Sequence, residues 1–171
     1  LFADDSAAVT VDAAGMAQGQ LDQLVTNIAR VSGITNLSLD LTDGQEVVPS
    51  ETADITTLLA KADGASVNAS NATAAELTAI AAGVDSADTL TSLTLSAMQT
   101  TAEMTSLLAA AVGATVSLDG ADAEQIGAVA TAIGEDAARV AVVTGLSLTH
   151  AQDATAMTQL LGKTADDSVA V

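Results

Sequence analysis

The run Leu93-Thr94-Leu95-Ser96-Ala97-Met98-Gln99-Thr100-Thr101-Ala102-Glu103-Met104 decides the fold. Its first three residues alternate apolar, polar, apolar, the period of a strand with one face in and one face out. Thr100 and Glu103 have the spacing of a capping box, in which the hydroxyl takes one orphan amide and the carboxylate returns to another. Behind that cap Met104, Leu107, Leu108 and Ala111 recur at helical spacing and line one face. The reading is a strand, a short link and a capped helix.

On either side the same phrase returns: Val9-Thr10-Val11, Leu37-Ser38-Leu39, Val67-Asn68-Ala69, Val116-Ser117-Leu118, Leu146-Ser147-Leu148 and Val169-Ala170-Val171. With Thr94 included, the central residues step by 28, 30, 26, 23, 30 and 23 positions. That spacing marks a stacked repeat, in which each unit buries its apolar face against its neighbours. Caps recur as Thr73-Ala74-Ala75-Glu76 and Asp122-Ala123-Glu124-Gln125, with Asp153 ahead of Met157 and Ser50 or Thr52 after Pro49. Helical faces follow at Leu21, Leu24, Val25 and Ile28; at Ile55, Leu58 and Leu59; and at Leu77, Ile80, Ala81 and Val84. Further faces are Ile126, Val129, Ala130 and Ile133, then Met157, Leu160 and Leu161.

Gly33, Gly64, Gly83, Gly113, Gly134 and Gly162 fall near the expected helix ends, where a left-handed residue closes a helix. Arg30, Lys61 and Lys163 sit there too, on the side the helix dipole favours for cations. Two insertions lengthen the pattern, Leu41 to Pro49 and Glu135 to Thr144, the second expected to hold an extra helical turn or short helix around Ala137 to Val143.

Because a helix follows every strand, consecutive strands are expected to pair in parallel. A doubly wound sheet competes, but its strands would be apolar at nearly every position. Here Thr10, Ser38, Asn68, Thr94, Ser117 and Ser147 form a polar middle row. The expectation is therefore an α/β, one-sided parallel-sheet solenoid of about seven short strands and about six helices, with residues 1–171 as one domain.

Ile34-x-x-Leu37-x-Leu39, Leu90-x-x-Leu93-x-Leu95 and Val143-x-x-Leu146-x-Leu148 resemble the LxxLxL core of leucine-rich repeats. The chain departs from that family at Thr42, Met98 and Ala151, where an Asn or Cys follows in the family. The resemblance implies a sheet face that takes ligands. Units rich in Ala, Thr and Asp and poor in Lys, Cys and aromatics also resemble repeats of large secreted bacterial surface proteins, adhesins and surface-layer proteins among them. That second resemblance implies an extracellular, structural and non-enzymatic role.

Charge narrows the partners. Twenty-two acids against four Lys and Arg give a net charge of −18. Nucleic acid is excluded as a partner, since binding it needs cations on the phosphates. Such a surface gathers counterions, divalent ones included. Calcium is the cofactor the sequence allows, in the loop Asp40-Leu41-Thr42-Asp43-Gly44-Gln45-Glu46, where Asp40, Asp43 and Glu46 offer hard oxygen ligands. A solvated acidic turn is the plainer reading of those residues. The stretch Leu107 to Val116 is about half the ~20 residues a membrane span requires. With one His, His150, no Cys and one Phe, neither a nucleophilic triad nor a large aromatic anchor is legible. Gly162-Lys163-Thr164 echoes a phosphate loop but has Met157 where the first Gly belongs.

Strand phrases stand close to both termini, and Val9, Val11, Val169 and Val171 are expected to present apolar edges. Pairing of such edges between copies is heterologous and builds a filament or lattice. The alternative is a ligand-binding domain that offers its polar sheet face to glycan or protein.

Overall fold

The computed structural model describes residues 8–42, 47–147, 152–165 and 169–170. The chain opens with β1 (Val9–Asp12), α1 (Gln18–Thr26), a 3-10 turn (Ile28–Arg30), β2 (Val31–Thr35) and β3 (Ser38–Asp40). It continues with α2 (Thr52–Leu59), β4 (Ala62–Asp63), β5 (Ser66–Asn68), α3 (Ala74–Gly83), β6 (Thr89–Thr91), β7 (Thr94–Leu95) and α4 (Thr101–Ala110). Last come β8 (Ala111–Val112), β9 (Ala114–Ser117), α5 (Ala123–Glu135), β10 (Val140–Thr144), β11 (Leu146–Ser147), α6 (Ala154–Leu161) and β12 (Val169–Ala170). The fold is α/β, with six α-helices among the described residues and all strand ladders parallel.

The helices start where hydroxyls and carboxylates can satisfy their first amides. Thr73 accepts from Glu76 N at 3.3 Å, and the Glu76 carboxylate accepts from Thr73 N at 2.7 Å. Thr100 and Glu103 repeat that geometry at 3.3 and 2.7 Å. Asp122 with Gln125 and Asp153 with the Ala156 amide serve α5 and α6. The start of α2 differs from expectation: its N-cap is Glu51, without a side-chain cap, because Ser50 is engaged by Asp22 instead. Successive helices lie against one another, α2 on α3, α3 on α4, α4 on α5 and α5 on α6. Their inner faces, including Leu58, Ile80, Leu107, Leu108, Val129 and Leu160, are fully buried with strand residues such as Ile34, Leu90, Val116 and Val143.

Each of the seven phrases contributes residues to a strand, but the expected seven strands are twelve among the described residues. A bend ahead of each of five phrases divides the strand path in two. The bend residue has positive φ: Asn36 at 55°, Gly64 at 74°, Ser92 at 56°, Gly113 at 71° and Gly145 at 64°. Gly64 and Gly113 therefore turn strands and do not close helices, which corrects their expected role. Gly33 lies inside β2 and Gly134 inside α5. The extra helical turn over Ala137 to Val143 is also corrected, since α5 runs on to Glu135 and Val140 already begins β10.

A Ser in the left-handed region costs about 1 kcal/mol that Gly does not incur. Ser92→Gly is thus expected to raise the unfolding free energy by about 0.5–1 kcal/mol, measured by urea denaturation. A loss of stability would mean that the Ser92 side chain contributes more than its backbone costs.

Register explains why one sheet becomes several. From β2–β3 to β4–β5 both strands pair in step, with Ile34 opposite Ala62 and Leu39 opposite Val67. At the next boundary the second strand of one unit meets the first strand of the following one, so that Val67 lies opposite Leu90. The next boundary is in step again, with Leu90 opposite Ala111 and Leu95 opposite Val116. Then the shift returns, with Val116 opposite Val143. The same offset joins Val11 of β1 to Ile34 of β2.

The result is four hydrogen-bonded groups, β1-β2-β4, β3-β5-β6-β8, β7-β9-β10 and β11-β12, in place of the single one-sided sheet expected. Ile34-Thr35-Asn36-Leu37, Leu90-Thr91-Ser92-Leu93 and Val143-Thr144-Gly145-Leu146 alternate with Ala62-Asp63-Gly64-Ala65 and Ala111-Val112-Gly113-Ala114. At the two boundaries that pair in step, Ile34 lies opposite Ala62 and Leu90 opposite Ala111, large against small.

Candidate functional site

The polar strand residues do not make the one row read from the sequence. Ser38 lies opposite Ser66, and Ser66 opposite Thr89. Asn68 lies between Asp40 and Thr91, Thr94 opposite Thr115, Ser117 opposite Thr144, and Thr10 opposite Gly33. Ser147 faces Ala170. The register shift breaks the surface into short rungs. Ser38–Ser66–Thr89 and Thr94–Thr115 are exposed throughout, whereas Asn68, Ser117 and Ser147 are half-buried.

β1 is hydrogen-bonded to β2 on one side and to no other described strand. Val9 is 59% exposed, an unusual state for a strand valine. Beneath it lies an open cleft of about 380 Å³ lined by Val11, Met16, Leu24 and Val31, with Gln20, Gln23, Asn27 and Arg30 at its margin. Val169 belongs to β12 and pairs with Leu146. Val171 lies outside the described residues.

Asp40, the first residue of the candidate calcium loop, accepts from the Thr42 amide at 3.0 Å and the Thr42 hydroxyl at 2.5 Å. Its backbone forms an antiparallel bridge with Val47. Asp43 and Glu46 lie outside the described residues, as does His150. No cluster of three or more metal-ligating side chains occurs among the described residues. On the outer helical layer, a groove of about 260 Å³ between α4 and α5 is lined by Thr101, Thr105, Thr131, Ala128 and Glu124, and is closed at one end by the Arg139–Glu135 ion pair.

Sequence reading missed a system of polar staples between consecutive units. Asn36 Nδ2 donates to Asp12 at 3.0 Å, and Ser50 donates to Asp22 from both its amide and its hydroxyl at 2.7 Å. Asn68 Nδ2 donates to the Thr42 hydroxyl at 2.9 Å. The buried Asp88 accepts from the Ala65 amide at 2.7 Å, taking the place of a ladder carbonyl. The buried Gln125 donates to the Gln99 carbonyl at 2.7 Å, and Gln152 to the Ala123 carbonyl at 3.2 Å. Every buried side-chain oxygen or nitrogen among the described residues has a partner. The available signal was separation, because these partners stand one unit apart in sequence.

Three staples hold carboxylates in the ionised form. The Asn36 amide, helped by the Ala14 backbone amide, keeps Asp12 below the ordinary carboxyl range. The Ser50 hydroxyl and then its amide do so for Asp22. Glu103 is lowered by the Thr100 amide and by the hydroxyls of Thr78 and Thr100. A folded-state pKa below the unfolded value adds stability that is present above the unfolded value and lost as pH falls through the folded one. The unfolded reference lies at 3.8 for Asp and 4.5 for Glu, so the loss begins near there and deepens toward lower pH. In 1 M salt, unfolding free energy is expected to fall less steeply below about pH 4 for Asp22→Asn than for the unsubstituted chain, read by urea titration at each pH. Equal slopes would show that the Ser50 contact does not persist in solution.

Comparison with protein-family models, curated proteins and solved structures gives no match to this chain.

Proposed function

We propose that this chain is a non-enzymatic structural module of an extracellular bacterial surface layer, adhesin or filament, built as a solenoid that associates with further copies through its end strands. The observation that carries this reading is the open β1 edge, with Val9 59% exposed over an apolar cleft. The same kind of edge is covered elsewhere in the molecule by the next unit, through parallel ladders and stacked helices. The buried polar groups support it as well, since Asp88, Gln99 and Gln125 bond to backbone. A net charge of −18 opposes association, so cations must screen the contact, and calcium is one candidate.

Electron microscopy of the purified chain, with calcium and with EDTA at matched ionic strength, tests the proposal. Ordered polymers are expected with screening cations, and Val9→Lys should abolish them by placing a charge in the apolar edge. A chain that stays monomeric under all these conditions sinks it. The second reading, a leucine-rich-repeat-like domain that takes glycan or protein on its sheet face, is favoured by the exposed Ser38–Ser66–Thr89 and Thr94–Thr115 rungs. A monomer that retains a glycan on an array, and loses it in Thr94→Lys, would replace the first reading with the second.

A further inference from the structure

The first and last helices belong to units whose pattern recurs inside the chain. β1 and α1 align with β9 and α5: Val9 with Ala114, Val11 with Val116, the N-cap Ala17 with the N-cap Asp122, and Gln20 with Gln125. Local geometry agrees. Both ladders shift register after their first pair, Gly15 and Gly120 both have positive φ, and Gln20 and Gln125 each accept from their N-cap amide at 2.9 Å. β11 and α6 align with β7 and α4, so that Asp153 matches Thr100, Met157 matches Met104 and Leu161 matches Leu108. There Val143 meets Thr164 as Leu90 meets Ala111.

Inside the molecule these two patterns are mated. β9 pairs with β7, and α5 packs on α4. Gln125 is buried there and donates from Nε2 to the Gln99 carbonyl at 2.7 Å, while Ala114, Met104 and Leu108 are fully buried. At the matching outer positions Gln20 is exposed, Val9 is 59% exposed and Leu161 is 48% exposed. Charge suits the same mating. Glu124 and Glu135, which line the groove between α4 and α5, align with Gly19 and Arg30, and α6 contains no acid. Two of the four Lys and Arg stand at these faces, Arg30 at the cleft beside α1 and Lys163 just after α6. On a chain of −18, such faces approach each other with little repulsion.

One strand stands in the way. β12 lies on β11 as β9 lies on β7, with Ser147 opposite Ala170 where Thr94 is opposite Thr115. It holds by two residue pairs the slot that β1 of another copy needs. We propose that association is a strand exchange between copies of this chain, a mechanism that rests on the end-to-end reading above. β1 of an incoming copy displaces β12 from β11, and its α1 settles against Met157 and Leu161. Its Gln20 Nε2 then donates to the Gln152 carbonyl, the counterpart of the Gln99 carbonyl. β12 is a resident competitor that keeps β11 paired in the free chain and sets the concentration at which copies join.

The chain has no Cys, so one introduced thiol reports on one position. Thr105 and Ala128 line the groove between α4 and α5, and their counterparts are Thr158 and Gln23. Thr158→Cys and Gln23→Cys chains are mixed with calcium and treated with a short bis-maleimide. The mixed dimer is expected in large excess over either homodimer, identified by peptide mass spectrometry. Val169→Gly loosens β12, so polymers should appear at about fivefold lower protein concentration, read by light scattering. Were β12 itself the strand on which the next copy docks, Val169→Gly would raise that concentration. A raised or unchanged concentration overturns the exchange. Polymers without a link between positions 158 and 23 overturn this mating of faces and leave end-to-end association standing. A chain that gives neither polymer nor link overturns both.

Discussion

In 10 mM salt this chain is expected to be largely unfolded, and in 1 M salt to be folded, as read by far-ultraviolet circular dichroism across a sodium chloride titration. The reason is a net charge of −18 on 171 residues. A folded chain of this length has a radius of gyration of roughly 16 Å, against about 44 Å for the unfolded coil. Folding therefore concentrates like charge. Between 0.01 and 1 M salt the screening length drops from about 30 to about 3 Å. At the dielectric constant of water, that change removes on the order of 10 kcal/mol of the extra repulsion in the folded state. Net stabilities of domains are about 5–15 kcal/mol, so the term decides whether the chain folds.

Local pairing does little to offset the repulsion. Arg139 pairs with Glu135, while Lys163 is directed to the Ala137 carbonyl. Calcium and sodium can be told apart in the same experiment. At matched ionic strength, a saturating gain with calcium beyond that with magnesium would favour a true site in the loop of Asp40, Asp43 and Glu46. A melting temperature that is the same at 10 mM and 1 M salt would overturn the electrostatic account.

Much of the fold was legible because its signals are local. The cap pairs Thr73–Glu76, Thr100–Glu103 and Asp122–Gln125 sit within one turn of each other, and all three form as read. The phrases such as Val116-Ser117 announce strands because alternation is a property of neighbours. Register was not legible in the same way. Whether Val67 meets Leu90 or a residue further along is decided by contacts between units, which no window of one unit contains. The three LxxLxL stretches already marked every second unit, but the intervening Ala62-Asp63-Gly64-Ala65 and Ala111-Val112-Gly113-Ala114 carried too little bulk to be seen as their partners.

The bends hid for a related reason. A single Gly looks alike at a helix end and at a strand corner, and at Asn36 and Ser92 the corner carries no Gly at all. For the candidate sites the difference matters most. The polar residues chosen for a common row are real surface groups, yet the register shift sends Ser38, Thr94 and Ser117 to different rungs.

Truncating the core at two places is expected to separate a stack from a single cooperative globule. Leu107 in α4 is fully buried, and α4 packs against both α3 and α5. Leu107→Ala removes three carbons and leaves a cavity that its neighbours cannot close, at a cost of about 3–4 kcal/mol. Leu24 in α1 is 8% exposed and lines the open cleft beside β1, so that solvent reaches the space its truncation leaves. Leu24→Ala is expected to cost about 1–2 kcal/mol, because no closed cavity forms.

Urea denaturation in 1 M salt measures both costs, and amide hydrogen exchange locates them. In a stack each unit leans on its neighbours alone. Leu24→Ala should therefore speed exchange in β1, α1 and β2 while α4 and α5 keep their protection. Leu107→Ala should speed exchange from α3 through α5. Should both variants accelerate exchange evenly over all helices, the units do not open separately. The molecule would then unfold as one body, and the solenoid reading, with the end-to-end association built on it, would lose its physical basis.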